Sequence, residues 1–74
     1  MDRQKYIINR KSGSSLPILI SMLDVKEDNP IRKLNYIYPG EIIELDDEEM
    51  HNCQAIMRDI ILVPVKDENV LDIV

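Results

Sequence analysis

The chain has no tryptophan, no phenylalanine, one histidine and one cysteine. A lone Cys53 excludes an internal disulfide. One cysteine and one histidine cannot supply the four ligands of a closed structural zinc site. Without Phe or Trp, the 45% of residues that are hydrophobic are mostly Ile, Leu and Val, an aliphatic, β-branched stock that favours strands. No apolar run approaches the ~20 residues of a membrane span, so no membrane partner is expected. Met1 leads into the charged run Asp2-Arg3-Gln4-Lys5, unlike the apolar centre of a secretory leader. A single thiol suits a reducing, cytoplasmic place of synthesis.

The 74 residues are expected to form one small domain, 1–74, with 1–11 and 70–74 as candidate extended arms. A chain this short buries only about 60% of the surface its unfolded form exposes. Small domains usually gain support from disulfides, a metal or a partner surface. With the first two removed, the expected support is association with other copies or with a larger protein. The charge is polarised along the chain: residues 1–35 carry seven basic and four acidic side chains, and residues 36–74 carry two and ten. Such polarity can draw copies together head to tail or dock one pole on a partner, or it can mark no more than a solvated acidic face.

Local signals predict the elements. Tyr6-Ile7-Ile8 lies between charges as a short strand or an arm, and Lys11-Ser12-Gly13-Ser14-Ser15 is a turn with a glycine for positive φ. Leu16 to Val25 reads as one buried strand, with Pro17 at its start. Asn29-Pro30 is a turn that stops any helix there. From Ile31 to Tyr38 the pattern alternates, with Leu34, Tyr36 and Tyr38 on one face of a half-exposed strand. Pro39-Gly40 fits the centre of a type II turn, and Glu41 to Leu45 is the returning strand. Asp46 and Glu49 then form a capping box in an acidic first turn. Met50, Cys53 and Met57, with Ile56 beside them, supply an apolar stripe for a helix at about 46–58. No glycine follows, so Arg58-Asp59 must turn the chain without one. Ile60 to Val65 is a last long strand, with Pro64 marking an edge, and Val70 to Val74 is a further short strand or a docking tail. The expected class is mainly β (α+β): a small SH3-like barrel of five or six short strands with one helix.

Residues that carry chemistry are few. His51 and Cys53 are two apart and point away from each other on a helix, so a Cys–His nucleophile is not expected, nor an enzyme of any kind. Asp46-Asp47-Glu48-Glu49 lacks the spacing and glycine of a calcium loop and is explained by a helix start. Ser12-Gly13-Ser14-Ser15 lacks the phosphate-loop pattern. No cofactor and no small-molecule substrate are expected. Arg3, Lys5, Arg10 and Lys11, with Tyr6 between them, could touch phosphates, but a net charge of −5 opposes nucleic-acid binding. The same residues, with Tyr36 and Tyr38, are the candidate protein interface, because tyrosine combines large contact area with a polar tip.

The run Tyr38-Pro39-Gly40-Glu41-Ile42-Ile43-Glu44-Leu45-Asp46-Asp47-Glu48-Glu49, followed by a short helix and Ile60-Ile61-Leu62-Val63-Pro64-Val65, resembles a pattern in small tailed-phage virion proteins with an SH3-like module. The resemblance spans about residues 38–65 and is structural; no binding residue is carried over from it. It implies a non-enzymatic structural protein of the bacteriophage particle, made in the host cytoplasm. Such a subunit binds capsid or tail proteins to decorate, cement or adapt them. The other reading is a small acidic regulator or inhibitor of a host protein, suggested by the acidic half.

Overall fold

A computed structural model describes residues 2–65. Five short strands and one α-helix make a mostly-β α+β fold. In chain order they are β1 (Gln4–Arg10), β2 (Ile18–Leu19), β3 (Tyr36–Ile37), β4 (Ile42–Leu45), α1 (Asp47–Ile56) and β5 (Ile60–Pro64), with 3-10 turns at Ile20–Met22 and Pro30–Lys33. Strand β1 is central in a three-stranded sheet of order β4-β1-β5 and is antiparallel to both neighbours. The unit β4-α1-β5 is therefore a split β-α-β, with β1 inserted between its two strands. β2 and β3 pair separately, placing Ile18 opposite Ile37 and Leu19 opposite Tyr36. Both sheets are open, and no described strand pairing closes them into a barrel.

Alternation sets the core. Tyr6 and Ile8 of β1, Ile43 and Leu45 of β4, and Ile60 and Leu62 of β5 point inward and are buried, as period-two geometry requires of one sheet face. Ile18, Ile20, Leu23, Val25, Ile37 and Cys53 complete the cluster, with Ile31, Met50 and Met57 packed against it. On α1 only Glu49 and Cys53 are fully buried, and Ile56 is exposed, so the apolar stripe is narrower than its sequence suggests.

Several expectations are corrected by these pairings. Residues 4–10 are the middle strand of a sheet, not an arm, because β4 and β5 each need β1 as partner. Glu41 to Leu45 does not return along Ile31 to Tyr38; β4 pairs with β1, matching Tyr6 to Ile43. Leu16 to Val25 is not one strand. Only Ile18–Leu19 pairs, and the chain then winds through a 3-10 turn, since a continuous apolar run does not distinguish strand from coiled core segment. Asn29-Pro30 starts a helical turn where a stop was expected: Pro30 occupies the first position, and the Asn29 side chain accepts the Ile31 N–H at 3.1 Å. Pro is tolerated there because that N–H has no helical partner. The expected tail at 70–74 lies outside the described residues.

Other local readings hold. Gly40 has φ +98° and the Glu41 N–H donates to the Tyr38 carbonyl at 3.1 Å, as in a type II turn. The Glu41 carboxylate also accepts the Tyr38 N–H at 3.0 Å. Gly40→Val is expected to lower stability by ~1–2 kcal/mol, because a side chain with a Cβ resists positive φ. No atom lies within 4 Å of where that Cβ would stand, so the cost is backbone strain alone. An unchanged midpoint in thermal unfolding would refute the turn's role. Pro64 lies opposite Tyr6 on the edge strand β5, where its missing N–H interrupts no central ladder.

Candidate docking surface

Charge that is separated in sequence meets in space. Among the described residues, four of the five ion pairs join a cation from the first 35 residues to an acid from the remainder: Arg3 to Glu49, Arg10 to Asp59, and Lys26 to both Asp46 and Glu48. Among the described residues, part of the chain's polarity is thus satisfied within one molecule. Two of the expected interface cations, Arg3 and Arg10, belong to these internal pairs.

Glu49 is the hub. It is 1% exposed, and its carboxylate accepts five hydrogen bonds. Oε1 takes the Arg3 Nε–H at 2.9 Å and the Asp46 N–H at 3.0 Å. Oε2 takes the Lys26 N–H at 2.8 Å, the Asn29 amide at 3.1 Å and Arg3 Nη2 at 3.3 Å. The Glu49 N–H returns to Asp46 Oδ1 at 2.8 Å, closing the capping box. Burial pushes this carboxyl up, but the bonds from Arg3, from the backbone at Asp46 and Lys26, and from Asn29 together hold it down at about 2. A carboxylate so fully coordinated is a poor proton acceptor near neutrality; it ties the β1 entry, the 26–29 loop and the helix start together. The capping partner is legible in the sequence, but the ligands brought from Arg3, Lys26 and Asn29 are not.

A second clasp replaces the missing glycine after α1. Asp59 accepts Arg10 Nη1 at 3.1 Å and the Ser12 N–H at 3.0 Å, while Arg10 also donates to the Leu16 and Pro17 carbonyls at 3.0 and 2.9 Å. The turn itself is closed by the Ile60 N–H on the Met57 carbonyl at 3.2 Å. Arg10 and Ser12 draw the Asp59 carboxyl below its ordinary range.

Neither His51 nor Cys53 forms a reactive pair. The His51 ring lies at the exposed surface with Nδ1 2.8 Å from the Asp47 carbonyl oxygen. Cys53 is 1% exposed, and burial pushes its thiol up to about 11. Cys53→Ser is expected to cost ~1–3 kcal/mol in urea unfolding by placing a hydroxyl in an apolar site; a smaller loss would show that the site hydrates freely. Among the described residues no group of three His, Cys, Asp or Glu side chains is placed to hold a metal ion. No described helix is long and apolar enough to cross a membrane.

Part of the remaining surface is apolar. Tyr36 and Tyr38 are nearly half exposed, with ring centroids 5.4 Å apart in an edge-to-face arrangement. Leu19, opposite Tyr36 in the ladder, and Leu34 are equally exposed. Beside them an open groove is lined by Leu19, Ser21, Arg32, Leu34 and Asn35. On the outer face of the three-stranded sheet, Ile42, Ile61 and Val63 are exposed, and Ile7 lies opposite both Ile42 and Val63. Clustered exposed apolar residues are a feature that interaction sites on small domains share. Of the expected interface residues, Tyr36 and Tyr38 are brought together here. Lys5 and Lys11 are exposed elsewhere. Tyr6 is not at the surface: it is 3% exposed, on the inward face of β1 between Ile43 and Pro64, where alternation places the even residues at the middle of that strand. Arg32 joins the surface unannounced, since no sequence signal separates a groove cation from a solvated one.

Comparison with protein-family models, with curated proteins and with solved structures finds no match to this chain.

Proposed function

We propose that the protein is a non-enzymatic structural subunit of a tailed-phage particle, binding capsid or tail proteins, or further copies of itself, as a decoration, cementing or adaptor component. The observation that carries this reading is the exposed aromatic and aliphatic surface made by Leu19, Leu34, Tyr36 and Tyr38, whose composition is that of interface cores. The pattern of residues 38–65, a turn glycine, an acidic cap, one helix and an edge strand ending at a proline, supports the phage assignment and its SH3-like affinity. With Asp46 and Glu49 engaged as helix cap and Asp59 as internal clasp, part of the acidic half is withdrawn from the regular acidic array a charge-mimicking inhibitor needs, so the structural reading is preferred. Quantitative mass spectrometry of purified particles tests it. The expected result is this protein at many copies per particle; its absence from particles would end the proposal.

A further inference from the structure

The outer face of the three-stranded sheet carries an apolar strip that begins where the described chain ends. Tyr6 and Ile8 of β1 and Ile60 and Leu62 of β5 are buried on the inner face, so alternation sets Ile7, Ile61 and Val63 on the outer one. Ile7 sits opposite Ile42 on one side and Val63 on the other, and Ile42 and Val63 are about half exposed. By the same alternation Val65 follows Val63 in this strip. Its N–H bonds the Lys5 carbonyl at 2.9 Å, so the chain leaves the sheet at the border of this face. Residues 66–69 are the polar Lys-Asp-Glu-Asn, and residues 70–74 read Val-Leu-Asp-Ile-Val. An extended segment of that sequence sets Leu71 and Ile73 on one side and Asp72 on the other. Among the described residues the exposed Lys5 has no ion pair, and Asp67 and Glu68 of the link are its complement in charge.

Reach and edge chemistry decide what covers the strip. Val63 is two residues back from Val65, and Ile42 is two strand spacings across from Val63, which puts Ile42 about 12 Å from Val65. Leu71 is six residue steps from Val65, at most about 20 Å of chain, enough to rise over the sheet and cross to Ile42. On so short a link the segment meets its own sheet at an effective concentration on the order of millimolar, which a neighbour's segment must match from solution. The other course within one molecule, a further strand along β5, is poorly served. The Val65 N–H on the Lys5 carbonyl and the Lys11 N–H on the Asp59 carbonyl show that the odd residues of β5 bond β1, so Ile60, Leu62 and Pro64 face the open edge. Pro64 has no N–H, and the Ile60 N–H is taken by the Met57 carbonyl at 3.2 Å, which leaves Leu62 as the single donor of an edge blunted against pairing. We propose that residues 70–74 of the same chain lie across the outer sheet face, with Leu71 and Ile73 packed on Ile7, Ile42 and Val63. The contact goes beyond the virion reading and is independent of it, and it leaves the Tyr36 and Tyr38 surface open to other molecules.

Methyl nuclear Overhauser spectroscopy of the full chain tests it and needs no variant. Leu71 and Ile73 are expected to show cross-peaks to Ile42 and Val63. In an equal mixture of isotope-labelled and unlabelled chains, those cross-peaks are expected within molecules and not between them. As a second measurement, Leu71→Ser combined with Ile73→Ser is expected to raise hydroxyl-radical labelling of Ile42 and Val63 several-fold and to leave that of Tyr36 and Tyr38 unchanged. Cross-peaks confined to Ile61 and Val63 would place the segment along the β5 edge. Cross-peaks between molecules would make the occupant a second copy. Absent cross-peaks, or labelling of Ile42 that does not respond to the double substitution, would leave the face to another protein. Each of these results overturns the proposal.

Discussion

Replacing Glu49 with glutamine is expected to lower the stability of the fold by about 3–5 kcal/mol, the usual penalty for removing one partner of a buried ion pair. The change is nearly isosteric, so packing is kept and the loss is electrostatic. The new amide has one acceptor where the carboxylate had two, yet it still faces Arg3, the Lys26 N–H, the Asn29 amide and the Asp46 N–H. Donors then meet a donor, and the Arg3 guanidinium loses its buried counter-charge. In a domain of this size each kcal/mol moves the midpoint by roughly 4–8 °C, so thermal unfolding should shift down by more than about 12 °C. A loss below about 1 kcal/mol would show that the hub is decorative. The pH dependence carries the same signature. Glu49 has a folded value of about 2 against an ordinary 4.5, so its contribution is fully present above about pH 4.5 and fades as the pH falls toward 2. Asp46, held low by Lys26 and the Glu49 N–H, and Asp59, held low by Arg10 and Ser12, act in the same direction. Wild type should therefore lose stability on acidification from pH 5 to pH 2, and Glu49→Gln should lose distinctly less over that window.

Asn29→Asp is the second large effect, expected at ~2–4 kcal/mol near neutral pH, the range for a buried charge set among unpaired acceptors. Asn29 is 1% exposed, and its amide nitrogen donates both to Glu49 Oε2 at 3.1 Å and to the Glu44 carbonyl at 2.9 Å. An aspartate there sets a second carboxylate against Glu49 and an acceptor against a carbonyl. A like charge in a shared site raises a carboxyl's pKa, so the introduced carboxyl is expected to protonate well above its ordinary value and then to donate one of the lost bonds. The deficit relative to wild type should therefore shrink as pH falls from 7 to 5. Urea unfolding at the two pH values reads this directly; a deficit that stays constant or grows would mean that the residue acts through packing alone.

How much is legible in the sequence follows the range of the interactions. The type II turn at Pro39-Gly40, the Asp46–Glu49 capping box and the edge proline of β5 are set by neighbours within a few residues, and each is present. The pairing of β4 with β1 joins segments roughly 40 residues apart, and nothing local marks β1 as a central strand rather than an arm. The apolar run Leu16 to Val25 misleads because apolar side chains occupy exposed positions (Leu16, Leu19, Met22) as well as buried ones (Ile18, Ile20, Leu23, Val25), which erases periodicity. The ion pairs are ambiguous for a related reason: cations early in the chain and acids late in it imply attraction but not whether it is satisfied within a molecule or between molecules. Folding answers that by putting β1 beside β5 and the 26–29 loop beside the helix start. Of the candidate surface, the Leu34–Tyr36–Tyr38 face is readable from alternation, whereas Leu19 and Arg32 join it only through the β2–β3 ladder and the adjoining 3-10 turn.

Hydroxyl-radical footprinting of assembled particles against the isolated protein tests the central claim most directly. Burial of the docking surface predicts that Tyr36, Tyr38, Leu19 and Leu34 are labelled several-fold less in the particle, while the exposed His51 on the outer side of α1 stays as reactive as in isolation. Equal labelling of those four residues in both states would contradict the account.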